Sequence, residues 1–474
     1  MKVLHVITGL GVGGAELQLR AVLQQTRHDA DVVTLYNPGP VADMIRAEGT
    51  AVRTLGMRRN TQLSAVLRLR RIIRAGRYDV VHAHLYRSQV YGRPAAWLAG
   101  TPVIVSTEHS IGETHLERRR MTLPVQALYL ATELFSDMTI AVSAAVRDRM
   151  TKWGVRRRKL TVIPNGVDLD RVAFDADGRA GVRAELGIGT DDYVLLLLGR
   201  LDQNKRFDQA IEAAAPSLSP AAKVVVAGGG AEREHLEETA RRCGVADYVI
   251  FAGERHDVAA VLSAADLLVA SSRQETFGLS VLEALANGIR VLYTTCPALA
   301  GIEVTLARHV AMEELGTIIA EEIAAGPSAR APEPTVAREF GIAAVAARID
   351  DLYERLAARL SWRTLAGRQR QRARQQASAR AWVAAQPEAP AAAPMAERRA
   401  GLQAGLPPPA QARPPRTRPA PRRATRPGAA RTRTTRPGPG PVPTHSVPGQ
   451  PVPGQPVPGQ PVPAQSSQLG REQP

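Results

Sequence analysis

"DLLVASSRQETFGLSVLEALANGIRVLYTT", residues 266–295, reads as one strand–loop–helix–strand unit. The runs 266–272 and 290–295 are short, apolar and β-branched, which suits buried strands, and the apolar run between them reads as a helix. A strand, a helix and a second strand in this order make a βαβ unit, hence a parallel sheet covered by helices. The same stretch holds two carboxylates eight positions apart. Glu275 stands in the Gly-containing loop and Glu283 lies a turn into the helix. What two acids do there depends on the rest of the chain.

The same alternation continues in both directions. "YVLLLLG" (193–199), "KVVVAGG" (223–229) and "YVIFAG" (248–253) precede it as strands with helical stretches between. An earlier set, "KVLHVIT" (2–8), "ADVVTLY" (30–36), "DVVHAH" (79–84), "VIVSTEH" (103–109) and "MTIAVS" (138–143), alternates with amphipathic patterns such as "QLSAVLRLRRIIRAG". The chain therefore reads as α/β, two doubly wound Rossmann-like domains, with a join near "VIPNGVDLDR" (162–171). The expected domains are 1–170 and 171–341, followed by an amphipathic helix at 342–361 and a tail at 362–474. Two such domains facing each other form a cleft at the carboxyl ends of their strands.

Charge divides the chain in the same places. Residues 1–170 carry 24 Lys/Arg against 14 Asp/Glu, residues 171–361 carry 19 against 28, and residues 362–474 carry 18 against 3. The net charge of +16 thus belongs mainly to the tail and not to a folded surface. That tail includes "RPPRTRPAPRRATRPGAARTRTTRPGPG" (413–440) and three "VPGQP" repeats from Val447, a composition unable to bury enough apolar surface to fold. It is expected to be disordered. Only Cys243 and Cys296 occur, without metal-ligand spacing, which points to a reducing compartment. The start lacks the pattern of a signal peptide, and no apolar run reaches the roughly 18 residues of a membrane span. A cytoplasmic protein is expected.

Three Gly-containing loops follow strands. "TGLGVGGAE" (8–16) places Gly13 and Gly14 at a helix start, where backbone amides approach a ligand closely, yet alone it serves equally as a tight turn. "LLGRLDQNKRFDQAIEA" (197–213) brings Arg200 and Lys205 out just before a helix. Two cations beside a helix start suit a diphosphate, whose developing charge they neutralise. "VAGGGAE" (226–232) repeats the strand–glycine–helix arrangement. His82 and His84 share a strand face and read as packing and cleft-lining residues, with no third ligand evident for a metal. "DAD" (175–177) follows no strand and is discounted as a metal motif.

Taken together and in order, "GGAE", "TEHS", "AVS", "VIPNGVD", "GRLDQNK", "VAGGG" and "SSRQETFGLSVLEALANG" resemble the retaining glycosyltransferases of the GT-B fold, family four (glycosyl transferases group 1), over roughly residues 1–360. The resemblance implies that the second domain binds a nucleotide-sugar donor and the first binds the acceptor. It implies His109, Glu275, Arg200 and Lys205 as catalytic residues. Glu275 would accept from hydroxyls of the donor sugar and Glu283 from the ribose. Gly13, Gly14, Gly199, Gly229, Phe277, Gly278 and Leu279 complete the expected donor site. It further implies front-face transfer with retention, no metal and no cofactor beyond the UDP- or GDP-linked sugar.

The expected activity is hexose transfer to a hydroxyl of a cell-envelope glycolipid or polysaccharide precursor. The acceptor would be a glycan, lipid-linked or small molecule. "ERRR" (117–120) and "VRRRK" (155–159) suit peripheral docking on an anionic membrane face. Nucleic acid is not an expected partner, because the tail lacks aromatic interleaving. Two alternatives stand: a soluble secondary-metabolite acceptor, and a non-catalytic scaffold using the basic tail. An epimerase or phosphorylase fits the glutamate spacing less well. The family pattern thins after "TTCPALAGIEV" (294–304), and residues 305–340 read as irregular.

Overall fold

The computed structural model describes residues 1–36, 38–59, 61–111 and 122–359, with the backbone of 115–116 and 119–120. The expected tail, and all the side chains of "ERRR", lie outside the described residues. The first sheet is built from β1 (Lys2–Ile7), β2 (Asp29–Thr34), β3 (Ala51–Thr54), β4 (Val80–His84) and β5 (Val103–Glu108). A short antiparallel pair, β6 (His115–Leu116) and β7 (Arg119–Arg120), precedes its last members, β8 (Met138–Ala141) and β9 (Leu160–Val162). Their order is β3-β2-β1-β4-β5-β8-β9. Every pairing in it is parallel.

The second sheet comprises β10 (Tyr193–Leu198), β11 (Ala222–Ala227), β12 (Val249–Gly253), β13 (Leu267–Ala270), β14 (Arg290–Tyr293) and β15 (Ala307–His309). It too is parallel, in the order β12-β11-β10-β13-β14-β15. The unit at 266–295 folds as β13, helix Leu279–Asn287 and β14, with Leu267 opposite Arg290. Central strands such as "YVLLLL" are buried along nearly their whole length, because helices cover both sheet faces. The direction of strand addition reverses at β1/β4 and at β10/β13. Crevices for ligands open at such switch points.

The chain crosses between the sheets twice, and the two crossings touch. Val167 donates its N–H to Phe340 O (2.7 Å) and accepts from Ile342 N (2.9 Å). The final helix, 342–359, then packs Val345, Ala346, Ile349, Leu352 and Tyr353 against Val3, Val80, Val103 and Val105 of the first sheet.

Residues 305–340 are ordered rather than irregular. They form β15, helix Leu315–Ala325 and helix Pro334–Phe340. Leu315, Ile318, Ile319 and Glu322 line the buried side of the first of these helices, and Glu322 pairs with Arg290 at 2.9 Å. The pieces are short, and Gly326, Pro327 and Pro332 part the two helices, which hides their periodicity. "DAD" has a structural task. Asp175 accepts the Gly178 amide (2.8 Å) and caps helix Ala176–Glu185.

Candidate active site

The loops after β10 and β13 are stitched together along their length. Asn204 O accepts Arg273 N (2.7 Å), and Asn204 Nδ2 donates to Gln274 O (2.8 Å). Ser271 Oγ donates to Lys205 O (2.7 Å). Arg206, held at a positive φ of 48°, donates its Nε to Ser271 O (2.9 Å). These bonds fix the two residues that face each other across the seam. Lys205 Nζ reaches Glu275 Oε1 at 2.7 Å, and Ser272 Oγ donates to the same oxygen at 2.8 Å. Among the described residues no donor falls on Glu275 Oε2, so that oxygen is open to an incoming hydroxyl.

Glycine is required just beyond. Gly278 has φ +102° and stands at the start of helix Leu279–Asn287, where a Cβ would lie 2.5 Å from Cys296 Sγ. The first bond of that helix runs from Leu282 N to Gly278 O, which leaves the amides of Leu279, Ser280 and Val281 for an anionic ligand. Phe277 is buried edge-to-face on Phe340 and anchors the loop from below. Glu283 keeps some exposed surface, but its carboxyl group is desolvated. Burial pushes its pKa up from 4.5 to about 7, with Arg171 pulling the other way.

The first domain meets this loop directly. Thr276 Oγ1 donates to His109 O (2.8 Å), and Ser143 Oγ donates to Thr276 O (2.8 Å) while accepting Val146 N as a helix cap. His109 is buried just past β5, next to three further buried imidazoles. Here one expectation is corrected. His82 and His84 do have a third imidazole beside them, His5 of β1, whose register partner on β4 is His82. Sequence distance conceals it, because only the parallel pairing of β1 with β4 brings residues 5 and 82 together. His5 Nδ1 lies 3.0 Å from His84 Nε2, and His84 Nδ1 lies 3.4 Å from His109 Nε2. Both His82 nitrogens meet hydroxyls, Tyr353 Oη at 2.5 Å and Thr107 Oγ1 at 2.7 Å. Burial lowers the pKa of His5 and His109 to about 4, and those of His82 and His84 well below the ordinary 6.5. All four rings are therefore neutral near pH 7.

His109, Lys205, Glu275 and Thr276 thus converge where the two sheets' carboxyl ends meet. Arg200 is half exposed with Asp202 as its ionic neighbour at 3.8 Å. Gly199 lies against the Lys205 side chain, and Gly229 lies beside Glu254. Gly13 and Gly14 open helix Gly14–Gln25 of the first sheet, Gly13 lying beside the Glu16 carboxylate. His5, Ser143, Arg206 and Thr276 escape a reading of motifs, since each matters only through a partner distant in sequence. A cavity of about 270 Å³ lies on another side of the β10 loop, lined by Asp202, Arg206, Asp208, Glu232, His235 and Arg273 among others.

Residues 11–171 match Glycosyltransferase Family 4 and residues 179–309 match Glycosyl transferases group 1, together more than half of the chain. A D-inositol 3-phosphate glycosyltransferase of Streptomyces avermitilis is 34% identical over 242 residues, 46% of this chain and 51% of that protein. The chain therefore spans about half the length of that relative. An Escherichia coli UDP-Gal:alpha-D-GlcNAc-diphosphoundecaprenol alpha-1,3-galactosyltransferase is 27% identical over 290 residues, 59% of this chain and 74% of that protein. Among solved structures, Anabaena HepE in complex with UDP and glucose superposes with a TM-score of 0.65 at 21% identity, covering 75% of this chain and 99% of that one. That last likeness concerns the fold, two parallel-sheet α/β domains. The chain belongs to the family-4, group 1 glycosyltransferases of the GT-B fold.

Proposed function

We propose that this protein is a retaining, metal-independent hexosyltransferase that uses a UDP- or GDP-linked sugar. One observation carries the reading. Groups from both domains, His109 on one side and the Lys205–Glu275 pair on the other, meet at a helix start with free amides. The donor would lie along the second domain, its diphosphate against Arg200, Lys205 and the amides of Leu279 and Ser280. These groups neutralise charge on the leaving diphosphate, as a divalent cation does in other transferases. Glu275 Oε2 would accept from sugar hydroxyls and Glu283 from the ribose. In the transfer step the acceptor oxygen bonds to the anomeric carbon on the face the diphosphate leaves, the bond to phosphate oxygen breaks, and the acceptor proton passes to that oxygen.

The relatives' names include an inositol phosphate and a lipid diphosphate as acceptors. A surface of the first domain favours the lipid-linked class. Trp97, Leu98 and Leu134 are exposed, Trp97 packs on Phe135, and Lys159 of the short turn Arg157–Lys159 donates to Leu134 O (3.3 Å) and Ser136 O (2.6 Å). Apolar side chains beside clustered arginines suit an anionic bilayer surface. Among the described residues no helix is long and apolar enough to cross a membrane.

The test is a transfer assay over a panel of UDP- and GDP-hexoses with lipid-linked and soluble acceptors, the product anomer being read by NMR. One donor consumed with retained configuration is expected, with salt-sensitive sedimentation on anionic vesicles. An inverted product, or no transfer from any donor, would defeat the reading.

A further inference from the structure

Three imidazoles form a line across three neighbouring strands, from His5 on β1 through His84 on β4 to His109 at the end of β5. Each link joins Nδ1 of one ring to Nε2 of the next. A neutral imidazole carries one N–H and one lone pair, so every ring can donate on only one side. The tautomer of one ring then dictates the others, and all three carry the proton at Nδ1 or all three at Nε2. Burial keeps the line uncharged, so it transmits a proton position without transmitting charge.

At its far end, His109 Nδ1 is buried and has no hydrogen bond of ordinary geometry among the described residues, although Asn165 stands beside it. A cavity of about 20 Å³, room for one water, is bounded there by His82, His84, Thr107, His109 and Asn165 among others. The backbone of His109 is meanwhile held from the opposite domain by Thr276. One ring nitrogen is occupied and the other is buried at the head of the line.

We infer that His84, backed by His5, is a positioning residue for sugar transfer: it holds His109 by Nε2 and thereby fixes the ring's orientation and which of its two nitrogens carries the proton. This rests on the reading of His109 as a sugar-facing group. The nitrogens of His5, His82 and His84 lie within 4.8 Å of one another, as a metal site would require. An ion there would have to break the His5–His84 contact or one of the two hydroxyl contacts of His82, so the hydrogen-bonded line is the arrangement the geometry favours.

The experiment uses the full chain with ring-¹⁵N histidine and long-range ¹H–¹⁵N spectra. His5, His84 and His109 should share one tautomer, and His5→Leu should scramble it at the other two. In transfer assays His84→Leu should lower kcat about tenfold or more, the scale of a lost orienting partner, with donor KM within about twofold. His84→Asn, which keeps a polar group at the Nδ1 position, should recover most of the rate although it packs less well than Leu. Should His84→Leu fail to fold, His5→Leu carries the kinetic arm. Differing tautomers in the wild type, equal losses in the Leu and Asn variants, or one retained equivalent of a d-block ion would overturn the inference. The spectra need no donor, so a wild type that transfers nothing would sink the glycosyl-transfer reading while the line itself is still measured.

Discussion

At the scale of single residues, Glu283 carries a consequence that pH exposes. Its folded pKa, about 7, is above the ordinary 4.5, so the folded chain holds the proton more tightly than the unfolded chain does. The resulting stabilisation is complete below about pH 4.5 and is lost as pH rises through about 7. Glu283→Gln keeps the shape and removes the titration. The variant should therefore match the wild type in urea unfolding at pH 4.5 and exceed it at pH 8, by about 1–3 kcal/mol given the size of the shift. Equal differences at both pH values would refute the desolvated carboxyl group. Of the converging residues, His109, Lys205 and Glu275 were legible because each lies in a short motif beside a strand end. Thr276 and Ser143 were not, since hydroxyls are common and the bond that joins these two crosses the interdomain contact, 133 residues apart. The Lys205–Glu275 ion pair was also hidden. Both residues were expected at the donor, but as contacts to different parts of it.

Among the elements, the start of helix Leu279–Asn287 is the most constrained. Gly278→Ala places a Cβ against Cys296 Sγ at φ +102°, combining backbone strain with overlap. The expected loss is about 2–4 kcal/mol in thermal or urea unfolding. Adding Cys296→Ala should recover the overlap but not the strain, so the double variant should fall between the two. Full recovery, or none, would contradict the split. Legibility here followed length and burial. Central strands of four to six residues were readable because parallel pairing buries both faces and selects continuous apolar runs. The edge strands β3 "AVRT" and β15 "ARH" are short, largely exposed and polar, so no period marks them. A third short strand, β9, ends at Val162, where the stretch read as the join between domains begins.

For the molecule as a whole, the last helix decides what can be removed. The site contacts described above lie within residues 1–359, and a chain ending at 359 should transfer sugar within about twofold of the full chain once the donor is known. Ending at 341 instead uncovers Val3, Val80, Val103 and Val105 and deletes Ile342, Val345, Ile349, Leu352, Tyr353 and Leu356. At about 1.5–3 kcal/mol per buried large apolar side chain, the six together lose about 9–18 kcal/mol, as much as the usual 5–15 kcal/mol of folding stability. The shorter chain should therefore be insoluble or unfolded, and a folded, active one would disprove the helix's role. The two-sheet plan was legible at this scale because its alternation restarts at residue 193. The doubled crossing at Val167 and Ile342 was not, since it joins two segments that are far apart in sequence and carry no shared pattern.

The claim beneath all of this is that the Lys205–Glu275 seam holds a nucleotide sugar. The direct measurement is isothermal titration of the full chain and of Glu275→Ala with matched UDP- and GDP-sugars and with free UDP and GDP. One nucleotide sugar should bind the wild type more tightly than its free nucleotide, and Glu275→Ala should remove that increment while leaving nucleotide affinity nearly unchanged. Binding of no nucleotide by either protein, or an increment that survives the substitution, would contradict the assignment of the site.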